Sequence, residues 1–368
     1  MLKLENCRER QKRLLAHMAN AGLEYAVIGN PKTVYYLTGA LVDAARPHAF
    51  LLAASGRSLL VTIAEPAQHC AERVEVYTGY SLERHFGRVT WTTEVAEAVR
   101  GFIAAGAAPA GVELEFVCAS VAQALARPLV NLTPALEHMR RCKDPDELDC
   151  LRAAIRLTEA GYAAIKARLA PGMTELEAYR LIEEAMMSAA GTAVDLRGDF
   201  ACGVRAVGGG GAPTARRVEP GDTYILDLFP AYQGYQCDLC RTFVAGRPSP
   251  LQQDAWAHVV EGHTIAQRVI RPGTRARQVD GEIREHLERF APARGSFTHH
   301  AGHGLGLDAW EDPWLTPGSE HVIQEGDVVA VEPGLYSTGM QGGIRLEHNY
   351  LVTAAGVVAL DEFPLDLV

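Results

Sequence analysis

Apolar positions along this chain recur with two different periods, and the changes of period mark out its elements. Residues 4–20 place Leu14, Leu15 and Met18 at helical spacing among charged neighbours, which predicts an amphipathic helix. Tyr25-Ala26-Val27-Ile28 is a short apolar run closed by Gly29-Asn30-Pro31, which predicts a buried strand. Apolar runs at 48–53 and 58–63 are split by Ala54-Ser55-Gly56-Arg57, which reads as a hairpin. A further strand is expected near 74–77, a helix over 92–105 and a strand at 112–114. Strands alternating with helices over this stretch argue for an α/β domain.

The texture changes near residue 140. Arg140-Arg141-Cys142-Lys143-Asp144-Pro145-Asp146-Glu147 is charged, contains a proline, and leads into a helix expected to reach about Leu169. We therefore divide the chain into domains 1–133 and 134–368. Pro171-Gly172 breaks the chain, and Thr174 with Glu177 has the spacing of a capping box before a second helix. The same design returns 101 residues later. Pro272-Gly273 matches Pro171-Gly172, Gly262 matches Gly161, and Ile283 matches Ile182. Strands follow each copy, at 198–205, 223–229 and 235–244, then at 327–336 and 343–353. The C-terminal domain thus reads as two similar α+β halves related by a pseudo-twofold.

Composition narrows the function classes. The chain has 368 residues, 48% hydrophobic, enough for a core without disulfide or zinc staples. Its net charge of −10 argues against nucleic-acid binding, which needs a basic face. No apolar run approaches the ~18 residues of a membrane span. The first ten residues are charged and lack the apolar core of a signal peptide. Eight scattered cysteines without such a signal read as reduced thiols, so a cytoplasmic protein is expected. Cys237 and Cys240 lie three apart on a strand, so their side chains face opposite ways and read as packing residues.

The strongest chemical signal lies in the C-terminal strands. Asp227 and Asp238 stand equally far from the turn expected at 230–234, which predicts direct cross-strand neighbours ~4.5–5.5 Å apart. Glu332 and Glu347 are likewise equidistant from the turn containing Gly339, Gly342 and Gly343. Each half of the repeat thus offers one facing pair of acids. Like charges at ~4 Å repel by roughly 4 kcal/mol even at a dielectric of about 20. Two divalent cations would cancel four carboxylates and hold a two-metal site. A nitrogen ligand is on offer from the glycine-flanked cluster His299-His300-Ala301-Gly302-His303, though spacing alone does not choose which histidine binds. Four carboxylates and one imidazole make a hard, oxygen-rich set, which favours Mn²⁺, with Co²⁺ or Zn²⁺ as options.

These residues carry a family likeness. LDLFPAYQGYQCDLCRTF, HHAGHGLGL, VEPGLY and GGIRLEHNYLVT occur in the order and approximate spacing of the pita-bread metallopeptidases. Within these the sequence resembles the Xaa-Pro dipeptidases (prolidases) and Xaa-Pro aminopeptidases. The likeness is strongest over 135–368. The N-terminal domain resembles the creatinase-type domain of the same enzymes, with Tyr36-Leu37-Thr38-Gly39 as its best local match. The resemblance implies that Asp227 binds one metal, that Asp238 and Glu347 bridge both, and that His303 and Glu332 complete the second. It also implies that Glu332 takes a proton from the attacking water and that His299 matches a further active-site histidine. A homodimer is implied as well.

Two family histidines are missing. The position seven residues after His303 holds Trp310, and the stretch before Asp227 that carries the other reads Gly208-Gly209-Gly210-Gly211. Both contact substrate in the family, so specificity is open. A dipeptide ends in a carboxylate, for which arginine is the natural partner. Arg345, Arg205 and Arg46 are the candidates, and Trp310 is a candidate wall for a proline ring. The expected function is a dinuclear Xaa-Pro dipeptidase acting on small proline-containing peptides. Alternatives are an Xaa-Pro aminopeptidase on longer peptides and a catalytically silent peptide-binding homologue.

Overall fold

The computed structural model describes residues 1–83 and 87–368. They form two compact units, Met1–Arg140 and Arg141–Val368.

The first unit contains α1 (Leu4–Ala21), β1 (Tyr25–Ile28), α2 (Pro31–Thr38), β2 (Ala49–Ala53), β3 (Ser58–Thr62), β4 (Arg73–Val76), α3 (Arg88–Phe102), β5 (Ala110–Val112), α4 (Ala119–Leu125), β6 (Leu129–Asn131) and α5 (Thr133–Arg141). Its strands form one mixed six-stranded sheet in the order β4-β3-β2-β1-β5-β6. Helix α1 buries Cys7, Leu14 and Met18 as its apolar stripe requires and stops at Gly22, which is left-handed at φ 66°. The Gly29-Asn30-Pro31 segment both closes β1 and opens α2. The Asn30 side chain accepts the Lys32 N–H at 3.0 Å, and Pro31 occupies the first turn. The expected domain division at 133 falls at the start of α5, whereas the compact units divide near its C-terminal end. Leu136 of α5 is buried, and the Met139 carbonyl accepts the Tyr36 hydroxyl at 2.9 Å.

The second unit opens with α6 (Pro145–Lys166) and α7 (Glu175–Ala190), followed by β7 (Gly198–Cys202), β8 (Thr223–Leu228), β9 (Ala231–Tyr232), β10 (Tyr235–Gln236) and β11 (Leu239–Val244). Helices α8 (Pro250–Val269) and α9 (Ala276–Leu287) come next, then β12 (Gly302–Gly304), β13 (Glu311–Leu315), β14 (Val328–Val331), β15 (Gly334–Ser337), β16 (Gly342–Arg345), β17 (His348–Thr353) and β18 (Gly356–Ala359). The main sheets are β11-β8-β7 and β13-β12-β14-β17-β18.

The internal repeat is carried by matched hydrogen bonds. Gly172 and Gly273 take φ of 93° and 92°. Their N–H groups donate to Val218 and Ile323 carbonyls at 2.8 and 2.9 Å. Thr174 bridges to Arg217 in one half, and Arg275 bridges to Val322 in the other. Ile182 and Ile283 are fully buried, each in its own core cluster. The capping box expected at Thr174 and Glu177 is formed. Each half is therefore a helix pair laid against a strand system, an α+β arrangement with mixed layers.

One expected pairing is not observed. Gln233 and Gly234 have φ of 49° and 81°, which places a two-residue turn there. The register that follows sets Asp227 opposite Cys240, not Asp238. The true cross-strand acid of Asp227 is Asp199, on the other side in β7. The expectation placed the turn centre one position too early.

Candidate metal centre

Four of the five candidate ligands stand at or near a strand end or break. Asp227 is the penultimate residue of β8, and Asp238 falls in the break between β10 and β11. Asn349 holds Asp238 in that break: its side chain accepts the Asp238 N–H at 3.2 Å and donates to the Asp238 carbonyl. Although not cross-strand partners, the Asp227 and Asp238 carboxyls are close enough for each to perturb the other's ionisation. His303 is the middle residue of β12. Glu332 follows β14, and Glu347 separates β16 from β17. The two ladders on either side share one register, Val331 with His348 and Gly334 with Arg345, so Glu332 faces Glu347. Arg241, fully buried, donates to the Glu347 carbonyl at 2.5 Å and to Asp361 at 2.8 Å, which fixes the backbone beneath this acid.

These side chains converge. Ligand atoms of Asp238, His303 and Glu347 lie within 4.8 Å of one another, and so do those of His299, His300 and Glu332. His303 Nε2 is 3.6 Å from both Asp238 Oδ2 and Glu332 Oε1. All five predicted ligands are buried, at 1 to 7% exposure. Four of their oxygens are out of water with no hydrogen-bond partner: Oδ1 of Asp227, Oδ1 of Asp238 and both carboxylate oxygens of Glu347. Buried polar atoms are nearly always paired. Four orphaned hard oxygens beside an imidazole fit divalent cations and fit little else.

Protonation follows the same logic. Without a cation, burial pushes Asp227 up to about 6 and drives Asp238 and Glu347 well above the carboxylate range, with their mutual repulsion adding to it. Glu332 goes the other way. Burial raises it, but contact with His300 and the imidazoles of His299 and His303 outweigh that and hold it at about 2. Burial lowers His299 to about 4, so it is neutral near pH 7.

The remaining expected site residues separate into groups. His299 Nδ1 lies 3.5 Å from Glu332 Oε2, and its Nε2 pairs with the Tyr336 hydroxyl at 2.7 Å. Arg345 sits against the cluster, but its Nη2 is shared by Asp227 at 2.7 Å and Asp199 at 2.8 Å. Arg205 is committed to Glu175 and to the Ala212 carbonyl. Arg46 belongs to the first unit, where it stacks 4.2 Å over Trp91 and lies 3.8 Å from Asp43. Trp310 is 61% exposed and meets the His303 ring edge-on at 6.4 Å. Trp310, Arg345 and four of the ligands, Asp227, Asp238, His303 and Glu332, line one cavity of about 550 Å³.

Sequence reasoning passed over three residues. His300 Nδ1 is 2.9 Å from Glu332 Oε1, closer than His299. Its place in the histidine cluster was a signal, but choosing among neighbours needs the strand bend at Gly302. Tyr336 joins His299 to Arg345 through its hydroxyl. Asp199 becomes visible only through the β7–β8 register.

The sequence profile of metallopeptidase family M24 matches residues 149–354, and that of the creatinase/prolidase N-terminal domain matches residues 10–142. The first match spans 206 of the 368 residues, and the chain belongs to metallopeptidase family M24. An Xaa-Pro dipeptidase of Pyrococcus horikoshii is 24% identical over 360 residues, 98% of this chain and 99% of that one. An Xaa-Pro dipeptidase of Pyrococcus furiosus is 28% identical over 237 residues, 64% of this chain and 68% of its own length. The solved structure of an Xaa-Pro dipeptidase from Bacillus anthracis superposes with a TM-score of 0.84 at 25% identity, covering 99% of both chains. The metallopeptidase character and the two-domain fold implied by the motifs are thereby established.

Proposed function

We propose that this metallopeptidase is an Xaa-Pro dipeptidase with a dinuclear centre held by Asp227, Asp238, His303, Glu332 and Glu347. The observation that carries the centre is the set of four orphaned, buried carboxylate oxygens. The relatives named Xaa-Pro dipeptidase support the substrate class. Mn²⁺ suits a hard donor set with one imidazole. Bound divalent ions would polarise the scissile carbonyl and acidify the attacking water.

The chain's own groups supply the rest. Glu332 is ionised at working pH and is the group that accepts the proton from the attacking water. His299 and His300 flank its two oxygens, and neutral His299, its Nδ1–H on the His300 carbonyl, accepts the Tyr336 hydroxyl at Nε2 and holds it beside the cavity. Arg345 orients Asp227. Trp310 offers an apolar face for a proline ring. We take the enzyme to be a cytoplasmic homodimer, in keeping with eight cysteines scattered along the chain and with the family resemblance. No helix among the described residues is long and apolar enough to cross a membrane.

The test is proline release from Ala-Pro, Ala-Pro-Ala and Ala-Ala by chelator-stripped protein, with and without Mn²⁺. The proposal expects Mn²⁺-dependent cleavage of Ala-Pro above the other two. Preferred cleavage of Ala-Pro-Ala would make the enzyme an Xaa-Pro aminopeptidase. Cleavage of none would leave a binding homologue.

A further inference from the structure

The cavity beside the metal centre contains one acid outside the candidate ligand set, Asp199. It stands on β7 directly opposite Asp227. Like charges so placed destabilise a sheet. The chain nonetheless makes room for it. A β-carbon at Gly210 would fall 2.0 Å from Asp199 Oδ2, so a side chain at 210 and this carboxylate exclude each other. The Gly211 N–H donates to Asp199 Oδ1 at 2.8 Å, which aims the group. Arg345 Nη2 reaches Asp199 Oδ2 at 2.8 Å, but the same nitrogen serves Asp227. Arg345 therefore meets Asp199 through one shared nitrogen at Oδ2, and Oδ1 takes only the neutral Gly211 N–H.

The carboxylate faces the cavity. The Asp199 side chain is 33% exposed, while Arg345 is 7% exposed. A β-carbon at Gly208 would meet nothing within 4 Å, so the wall beside Asp199 is open. A carboxylate with free lone pairs, held from behind by a shared arginine, is built to receive a cation.

We propose that Asp199 is a specificity-determining residue that anchors an ammonium group of the substrate against the glycine run 208–211. The inference rests on the dipeptidase reading and adds a charge preference to it. The ammonium has two sources, the peptide's α-amino group or a lysine side chain at the first position.

Four substrates separate them: Ala-Pro, acetyl-Ala-Pro, Lys-Pro and acetyl-Lys-Pro, each assayed with the Mn²⁺-loaded full chain. A hydrogen bond to a charged partner predicts roughly tenfold or greater preference in kcat/KM for substrates carrying the recognised ammonium. In Asp199→Asn this preference collapses to within about threefold, chiefly through KM, and Asp199→Glu restores part of it. A loss confined to the acetylated pair assigns the α-amino group, and a gain confined to the lysine pair assigns the side chain. If Asp199→Asn lowers kcat alike for all four and leaves their ratios unchanged, the residue only balances Arg345 and the inference is overturned. If the unaltered enzyme cleaves none, the dipeptidase reading fails separately. Peptide affinity by calorimetry then decides: a cation preference lost in Asp199→Asn supports the inference, and equal affinities overturn it.

Discussion

At the scale of single residues, burial decides the behaviour of the carboxyls. Glu113 shows this outside the site. It is 3% exposed, accepts the Thr33 hydroxyl at 2.7 Å, and burial pushes it up to about 7. The folded chain therefore keeps a proton that the unfolded chain loses near pH 4.3. Its contribution is full below that pH and is lost as pH rises through 7, by roughly 3 kcal/mol in all. Glu113→Gln is expected to flatten this slope and to be the more stable form at pH 8. Urea unfolding at pH 5 and pH 8 checks it. Within the site, Asp238→Ala removes an acid whose N–H and carbonyl remain held by Asn349. The variant is expected to fold, to bind fewer than two metal ions, and to lose at least about 100-fold in activity. The acids were legible in the sequence because carboxylates on apolar strands need compensation, although only Glu332 and Glu347 face each other as the spacing suggested. Asp199, Tyr336 and the choice of His300 were not, because each depends on which residue faces which across a ladder.

At the scale of elements, turns set register and register sets the site. The Gln233-Gly234 turn lies one residue later than expected and moves the partner of Asp227 two residues, from 238 to 240, whereas the shared register of β14–β17 and β15–β16 kept Glu332 opposite Glu347. A turn read from composition alone fixes a hairpin but not its centre, and a shift of one residue changes every partner. The matched breaks at Gly172 and Gly273 carry a separate prediction. Both have φ above 90°, and a β-carbon at either would meet nothing within 4 Å. Substitution there is strained in the backbone without any clash. Gly172→Ala and Gly273→Ala should each lose about 1–2 kcal/mol, and nearly the same amount, by urea unfolding. A large difference between them would break the equivalence of the two halves.

At the scale of the whole molecule, the repeat explains why one site forms from distant segments. Each half contributes strands that end in acids, and the two halves meet at those ends. The repeat was legible from Pro-Gly and the buried isoleucines because packing the same helix pair twice demands the same small and branched residues. The specificity of the cavity was less legible, since it depends on what stands at Asp199, Gly210 and Trp310 together. Buried acids that retain protons without metal also link the centre to global stability. The stripped protein should lose stability as pH rises through about 6, where Asp227 is forced to ionise, and metal should reverse the trend. Melting curves at pH 5 and 7.5, with and without Mn²⁺, read this directly. A gain on loading that is larger at pH 7.5 is expected.

The central claim is that the orphaned oxygens of Asp227, Asp238 and Glu347 belong to a two-ion centre. Calorimetric titration of chelator-stripped protein with Mn²⁺, in two buffers of different ionisation enthalpy, tests it most directly. The account predicts two ions bound per chain, with protons released on binding and affinity rising with pH. A single ion or none, or binding with no proton release, would contradict it.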